Sequence, residues 1–291
     1  MDNNTKQTFK TVISSRRKVF DLKLRELVSY RDLIFLLVKR DFVSRYKQTV
    51  LGPLWALIQP LITTVVFSVV FGTLAGLPVS DSVGGVQAPS FLFYMAGTML
   101  WSYFTSVVSA TSNTFISNAA VMSKVYFPRI AMPVSTVISA LIPLCIQGVL
   151  FAVIYGICAI NGSAQINITP YILLVPLSVI QIMLLSMGVG VMISSLTTKY
   201  RDLAMLVGFG LSLWQYATPV AYGLQLIPEK YVELYMLNPV TPALLSFRYG
   251  LFGTGYFDPT YYLISWAMTL VIALIGVLLF NRLEKNFADT V

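Results

Sequence analysis

The sequence predicts an all-α polytopic membrane protein, and three observations carry that prediction. Residues 130–198 contain no Lys, Arg, Asp or Glu. A soluble surface of that length needs charge to stay in water, whereas one membrane helix needs only ~20 apolar residues, so this stretch holds two spans and a turn. Residues 48–80, 82–123, 203–228 and 259–281 are equally free of charge. The composition agrees: 56% hydrophobic and 11% charged residues place the chain in the membrane class.

Reading along the chain gives six spans, at residues 53–76, 91–115, 130–160, 170–195, 202–222 and 261–281. The basic residues orient them, because Lys and Arg concentrate in the cytoplasmic loops of membrane proteins. Eighteen of the twenty lie in residues 1–52, in the loops carrying Lys124, Arg129, Lys199 and Arg201, and in the tail with Arg282 and Lys285. The opposite side has only Lys230 and Arg248, against Asp81, Glu229, Glu233 and Asp258. Both termini are therefore expected in the cytoplasm. The net charge of +8 is a topology signal and not a nucleic-acid footprint.

Three domains follow: a cytoplasmic segment over 1–52, a transmembrane domain over 53–281 and a cytoplasmic tail over 282–291. In the first, Leu27, Tyr30, Ile34, Leu37 and Phe42 recur at helical spacing among charged residues. That pattern predicts an amphipathic helix in the membrane interface, either a plain anchor or a docking element. The loop over 116–129 is expected to end in a small knob, since Pro128 biases Phe127 out of the helical region. Val125, Tyr126 and Phe127 are expected to be exposed on it, as a plug for a partner's groove or as interfacial aromatics. Residues 223–257 are too apolar for a free loop and too punctuated by Pro and Gly to span. They predict two short re-entrant helices that line or close a polar path, where irregular backbone is tolerated in a bilayer.

Within the fifth span, Gly208, Ser212, Gln215, Pro219 and Tyr222 form a small or polar stripe at spacings of four and three. Gln59 and Trp55 play a similar part at the start of the first span. Such stripes serve helix packing or substrate contact. Cys145 and Cys158 fall on one predicted helix ~20 Å apart, too far to bridge. The chain has no His, which removes the commonest metal ligand and general base, and neither catalytic residues nor a metal site is expected. There is no P-loop and no ionisable residue near a span centre. Energy for any transport is expected to come from another chain.

Five segments then resemble one family: "LLVKRDFVSRYKQTVLGPLWALIQPL" over 36–61, "KVYFPR" over 124–129, "TTKYRDL" over 197–203, "LNPVTPALLSFRYGLF" over 237–252 and "FNRLEKNFADTV" over 280–291. Together they resemble the membrane (permease) subunits of type-2 ATP-binding-cassette exporters of polysaccharide, O-antigen and teichoic acid. The resemblance implies a homodimer in the bacterial inner membrane beside two copies of a cytoplasmic ATPase, which binds the ATP and Mg, with no cofactor in this chain. It makes Arg40, Asp41, Arg45 and Tyr46 part of an interface helix, and Lys124, Val125, Tyr126, Phe127, Pro128 and Arg129 the coupling element. It implies a channel lined from Trp55, Gln59, Phe67, Phe71, Gly208, Ser212, Gln215 and Tyr222. Gate helices would carry Tyr231, Tyr235, Asn238, Phe247 and Arg248, and the cargo would be a lipid-linked polysaccharide. A polymerase or ligase acting on lipid-linked sugars, or a type-2 exporter of teichoic acid, a drug or a small lipid, stands as the alternative.

Overall fold

The computed structural model describes residues 28–76, 89–122, 127–165, 167, 169–197 and 202–288, and every regular element among them is helical. Helix α1 (Arg31–Tyr46) precedes a 3-10 turn at Gly52–Leu54, where Gly52 takes the positive φ of 51° that the turn requires. Next comes α2 (Trp55–Phe67), prolonged as a π-helical stretch through Leu74. Helix α3 (Ser90–Ser112) is followed at once by α4 (Thr114–Met122), and α5 spans Ala131–Ile160. A 3-10 turn at Pro170–Leu173 opens α6 (Leu174–Thr197), and α7 covers Leu203–Tyr216. Two short helices, α8 (Glu229–Met236) and α9 (Val240–Phe252), come before the long α10 (Pro259–Ala288). Gly253 ends α9 in the left-handed region at φ 71°, the usual way a helix closes its last carbonyls.

Among the described residues, five helical stretches are long and apolar enough to cross a bilayer, Gly52–Leu74, Ser90–Ser112, Ala131–Ile160, Pro170–Thr197 and Pro259–Arg282, while Leu203–Tyr216 is shorter. The protein is a multi-pass membrane protein. Helix α3 is its centre, packed on α2, α5, α6, α7 and α9. Close approach depends on glycine. A Cβ on Gly188 of α6 would lie 2.8 Å from the Ala273 backbone of α10, and one on Gly276 would lie 2.7 Å from the Gly188 carbonyl. A Cβ on Gly190 would collide with the Thr111 hydroxyl of α3. These small residues let backbones touch, which is how apolar helices gain van der Waals contact where lipid offers no hydrophobic drive.

Two expectations are corrected. The span expected at 202–222 is a helix only to Tyr216, because Pro219 disfavours helical backbone at Thr218 and lacks the N–H to extend it. Pro219 and Tyr222 therefore leave the helical stripe. Helix α10 itself runs on past residue 282 to Ala288, in keeping with the helix formers Leu283, Glu284 and Lys285. Phe127, expected to be exposed, is 6% exposed. It packs in a cluster with Leu37 of α1, Phe115 of α4, Met132 of α5, Val191 of α6 and Phe280 of α10. Burying a phenyl ring stabilises by about 1.5–3 kcal/mol, so the ring is drawn inward by partners remote in sequence. The preceding Lys124, Val125 and Tyr126 lie outside the described residues.

Gly188→Val is expected to lower the melting temperature of the detergent-solubilised protein by several degrees, since overpacking costs about 1–3 kcal/mol. Gly148→Ala, whose Cβ meets nothing within 4 Å, should leave it unchanged or slightly raised, since Ala favours a helix interior over Gly; thermal unfolding of both variants checks the pair.

Candidate functional site

A cavity of about 590 Å³ lies between α2, α3, α5 and α7, with Arg45 and Tyr46 at the end of α1 on its border. It brings together Trp55, Gln59, Gly208, Ser212 and Gln215 from the sequence-predicted set. Phe67 and Phe71 lie elsewhere, packed edge to face at 5.6 Å against the core, and so does Tyr222, which donates a hydrogen bond to the Tyr216 carbonyl at 2.6 Å.

One wall was missed from sequence. Thr98, Ser102, Thr105 and Ser109 of α3, with Ser106, face the cavity. Their spacing of four, three and four is the signal that finds them, a hydroxyl stripe at helical period. Ser102 and Thr105 donate to the Met99 and Trp101 carbonyls at 3.1 Å, which leaves oxygen lone pairs for a ligand. The wall is polar without charge.

Gln147 of α5 explains how the cavity keeps its shape. Pro60 lies inside α2 and has no N–H, so the carbonyl four residues back, at Ala56, loses its helical partner. Gln147 Nε2 donates to that carbonyl at 2.9 Å, and its Oε1 accepts from Ser102 Oγ at 3.4 Å. A neighbouring side chain thus repairs the proline break, as helices in hydrocarbon require. Beside it, the Thr64 and Thr98 hydroxyls pair at 2.8 Å and join α2 to α3.

At the far end from α1, the same need recurs where α7 stops. Asn238, in the turn between α8 and α9, accepts from Trp214 Nε1 at 3.1 Å and donates to the Ala217 carbonyl at 3.1 Å and Thr218 Oγ1 at 2.9 Å. Arg248 of α9 is 4% exposed and donates to the Pro219 and Val220 carbonyls, both at 2.6 Å, while its guanidinium lies 3.8 Å from the centre of the Phe93 ring. A Cβ on Gly97 would strike both Arg248 and the Val220 carbonyl, so glycine makes room for this contact. Phe247 is buried beside it, whereas Tyr231 is exposed and Tyr235 shares a 3.5 Å contact with the Tyr222 hydroxyl. Nearby, burial and then Asp258 push the Tyr256 phenol above its ordinary value, keeping it neutral.

At the α1 end, Arg40 makes an ion pair with Asp41 at 2.8 Å and donates to Asn118 of α4 at 3.2 Å, tying α1 to α4. Pro128 and Arg129 begin the turn into α5, and the cluster around Phe127 roots this whole end in the bundle.

Comparison with known proteins adds to this geometry. The ABC-2 type transporter family model matches residues 32–252, which include every cavity residue. The chain is 29% identical over 271 residues to O-antigen export system permease protein RfbA of Klebsiella pneumoniae, covering 92% of this chain and 98% of that protein. A second Klebsiella pneumoniae protein of the same name is 30% identical over 265 residues, or 89% of this chain and 94% of its own. One from Myxococcus xanthus is 24% identical over 271 residues, covering 92% of this chain and 98% of that protein.

Gln147→Leu is expected to destabilise the protein by about 1 kcal/mol, because the Ala56 carbonyl is left unpaired. In a Pro60→Ala background the helix supplies its own donor, so the same substitution should cost less than half as much. A double-mutant cycle by thermal unfolding in detergent reads the difference, and equal costs in both backgrounds would contradict the repair.

Proposed function

The chain belongs to the ABC-2 type transporter family, and from that premise we propose that it is the membrane subunit of an exporter of lipid-linked, O-antigen-type polysaccharide. The observation that carries the reading is the hydroxyl- and amide-walled cavity between α2 and α7. A glycan cannot cross hydrocarbon unaided, since each polar group stripped of water without a partner costs ~2–7 kcal/mol. A wall of hydroxyls, amides and the rings of Trp55 and Trp101 replaces that water. The names of the relatives from Klebsiella pneumoniae and Myxococcus xanthus supply the cargo class. Glu229, Glu233 and Asp258 lie outside the cavity lining, which favours passage over chemistry on the sugar.

The helices flanking the cavity are poorly covered. On α2 only Thr64 is buried, and Met205, Leu206 and Phe209 of α7 are exposed, Met205 by 84%. A second copy set against these faces would hide them and close two cavities into one channel, so the working unit is a homodimer. Power comes from two copies of a cytoplasmic ATPase that hold the ATP and Mg, received through the segment Lys124–Arg129 and α1. The complex sits in the bacterial inner membrane with both termini in the cytoplasm, α8 and α9 forming its outer gate.

Two outcomes test this reading in cells that depend on the transporter. Tyr126→Ala should cut glycan export at least ~tenfold with the protein level unchanged, because the coupling contact is lost; Phe127→Ala should instead lower the amount of folded protein, since that ring is buried, at a cost of about 3–5 kcal/mol. Surface glycan measured against membrane protein level separates the two effects. Gln215→Lys should block export while insertion stays normal, by placing a charge on the cavity wall; undiminished export would remove the channel assignment.

A further inference from the structure

We propose that the cavity selects a glycan free of negative charge, with neither carboxylate nor phosphate in its repeats, because the hydroxyls of its wall face the cargo with lone pairs and not with protons. The inference deepens the export reading and rests on it for the presence of a glycan in the cavity.

The hydrogen bonds of the wall carry it. Thr98, Ser102 and Thr105 of α3 donate to the Met95, Met99 and Trp101 carbonyls, each at 3.1 Å. On α2, Thr63 donates to the Gln59 carbonyl at 3.1 Å, and on α7, Ser212 donates to the Gly208 carbonyl at 2.9 Å. All five side chains line the cavity. A hydroxyl has one proton and a carbonyl has none to give, so in each pair the proton is held inside the protein. What these residues offer a cargo is acceptor oxygen.

The amides of Gln59 and Gln215 carry donors on the same wall, and they are neutral. The indole rings of Trp55 and Trp101 add π-electron faces, which attract C–H groups and cations and not anions. Among the described lining residues Arg45 is the one charged side chain, and it stands exposed on the border at the end of α1. A sugar hydroxyl suits this wall: it can give its proton to Ser102 or Thr105 and take one from Gln59 or Gln215. A carboxylate or phosphodiester oxygen has lone pairs alone. Set against the α3 hydroxyls it meets like partial charge, and it loses water without a cation in exchange, which is the costliest kind of burial. The same chemistry sets a neutral polysaccharide apart from teichoic acid, whose phosphodiesters recur along the chain.

The test is binding by the full-length protein in lipid nanodiscs, measured by isothermal titration with two matched probes. These are a short oligogalacturonate and its methyl ester, which share stereochemistry and length and differ in charge. The ester should bind at least ~tenfold more tightly than the acid, since an unsatisfied charged group costs more than a neutral hydrogen bond returns. Thr105→Val nearly keeps the shape and removes the lone pairs, so it should weaken ester binding several-fold. Ser212→Lys, at an exposed position of the wall, supplies a cation and should raise affinity for the acid at least ~tenfold. Acid bound as tightly as ester by the wild type, absence of ester binding, or an unchanged preference in Ser212→Lys overturns the inference. The titrations need neither ATPase nor lipid carrier. The expected preference in a protein that exports nothing in cells would sink the export reading alone, whereas surface polymer that depends on this chain and bears negative charge in its repeats would sink the selectivity alone.

Discussion

Every backbone carbonyl and amide in a bilayer must find its partner inside the protein, and that constraint organises this structure. Two of the prolines that interrupt helices here border the cavity helices, Pro60 within α2 and Pro219 after α7. At these two places polar side chains remote in sequence donate to the carbonyls left open. Gln147 serves the Ala56 carbonyl; Asn238 and Arg248 serve the carbonyls of Ala217, Pro219 and Val220. These three side chains are not scattered polar residues tolerated in a greasy fold. They hold the two helices that flank the cavity to α5 and α9, and so fix where the cavity lies.

The breaks also explain an asymmetry in packing. α3 and α6 are packed on several sides and approach their neighbours through Gly188 and Gly190, so they form a rigid centre. α2 and α7 touch that centre along one edge and leave apolar surface uncovered. A helix held by a few hydrogen bonds at its broken points, and by little packing elsewhere, is the part of the bundle that can shift with the least loss of contact. In the proposed exporter those are the helices that line the path.

The α1 end adds a mechanical link. Phe127 shares one apolar cluster with α1, α4, α5, α6 and α10, and the rings of Phe115 and Phe280 stack at 4.8 Å within it. Displacement of the turn before α5 is therefore transmitted through close-packed rings and not through a loose loop, because packed interiors resist compression. Arg40 and Asn118 bind α1 to α4 at the same end, so the helix bordering the cavity mouth moves with that cluster.

Much of this was legible in the sequence. The lengths of charge-free stretches set the membrane class, since hydropathy depends on composition and needs no partner. Pro and Gly punctuation marked two short helices within residues 223–257, where α8 and α9 lie, and the stripe of Gly208, Ser212 and Gln215 stood out as small or polar on an apolar helix. The identity of what each polar group touches was not legible. Gln147 reads as a stray amide until α5 is laid beside Pro60, 87 residues earlier in the chain, and Arg248 reads as a surface charge until α9 is folded beneath the end of α7. Phe127 looked exposed for the same reason, its partners being 90 residues before it and 153 after it, at Leu37 and Phe280. Period and composition are local properties and determine which segments are helices in a membrane; satisfaction of buried donors and rings is a property of pairs distant in sequence, and only the tertiary structure decides it.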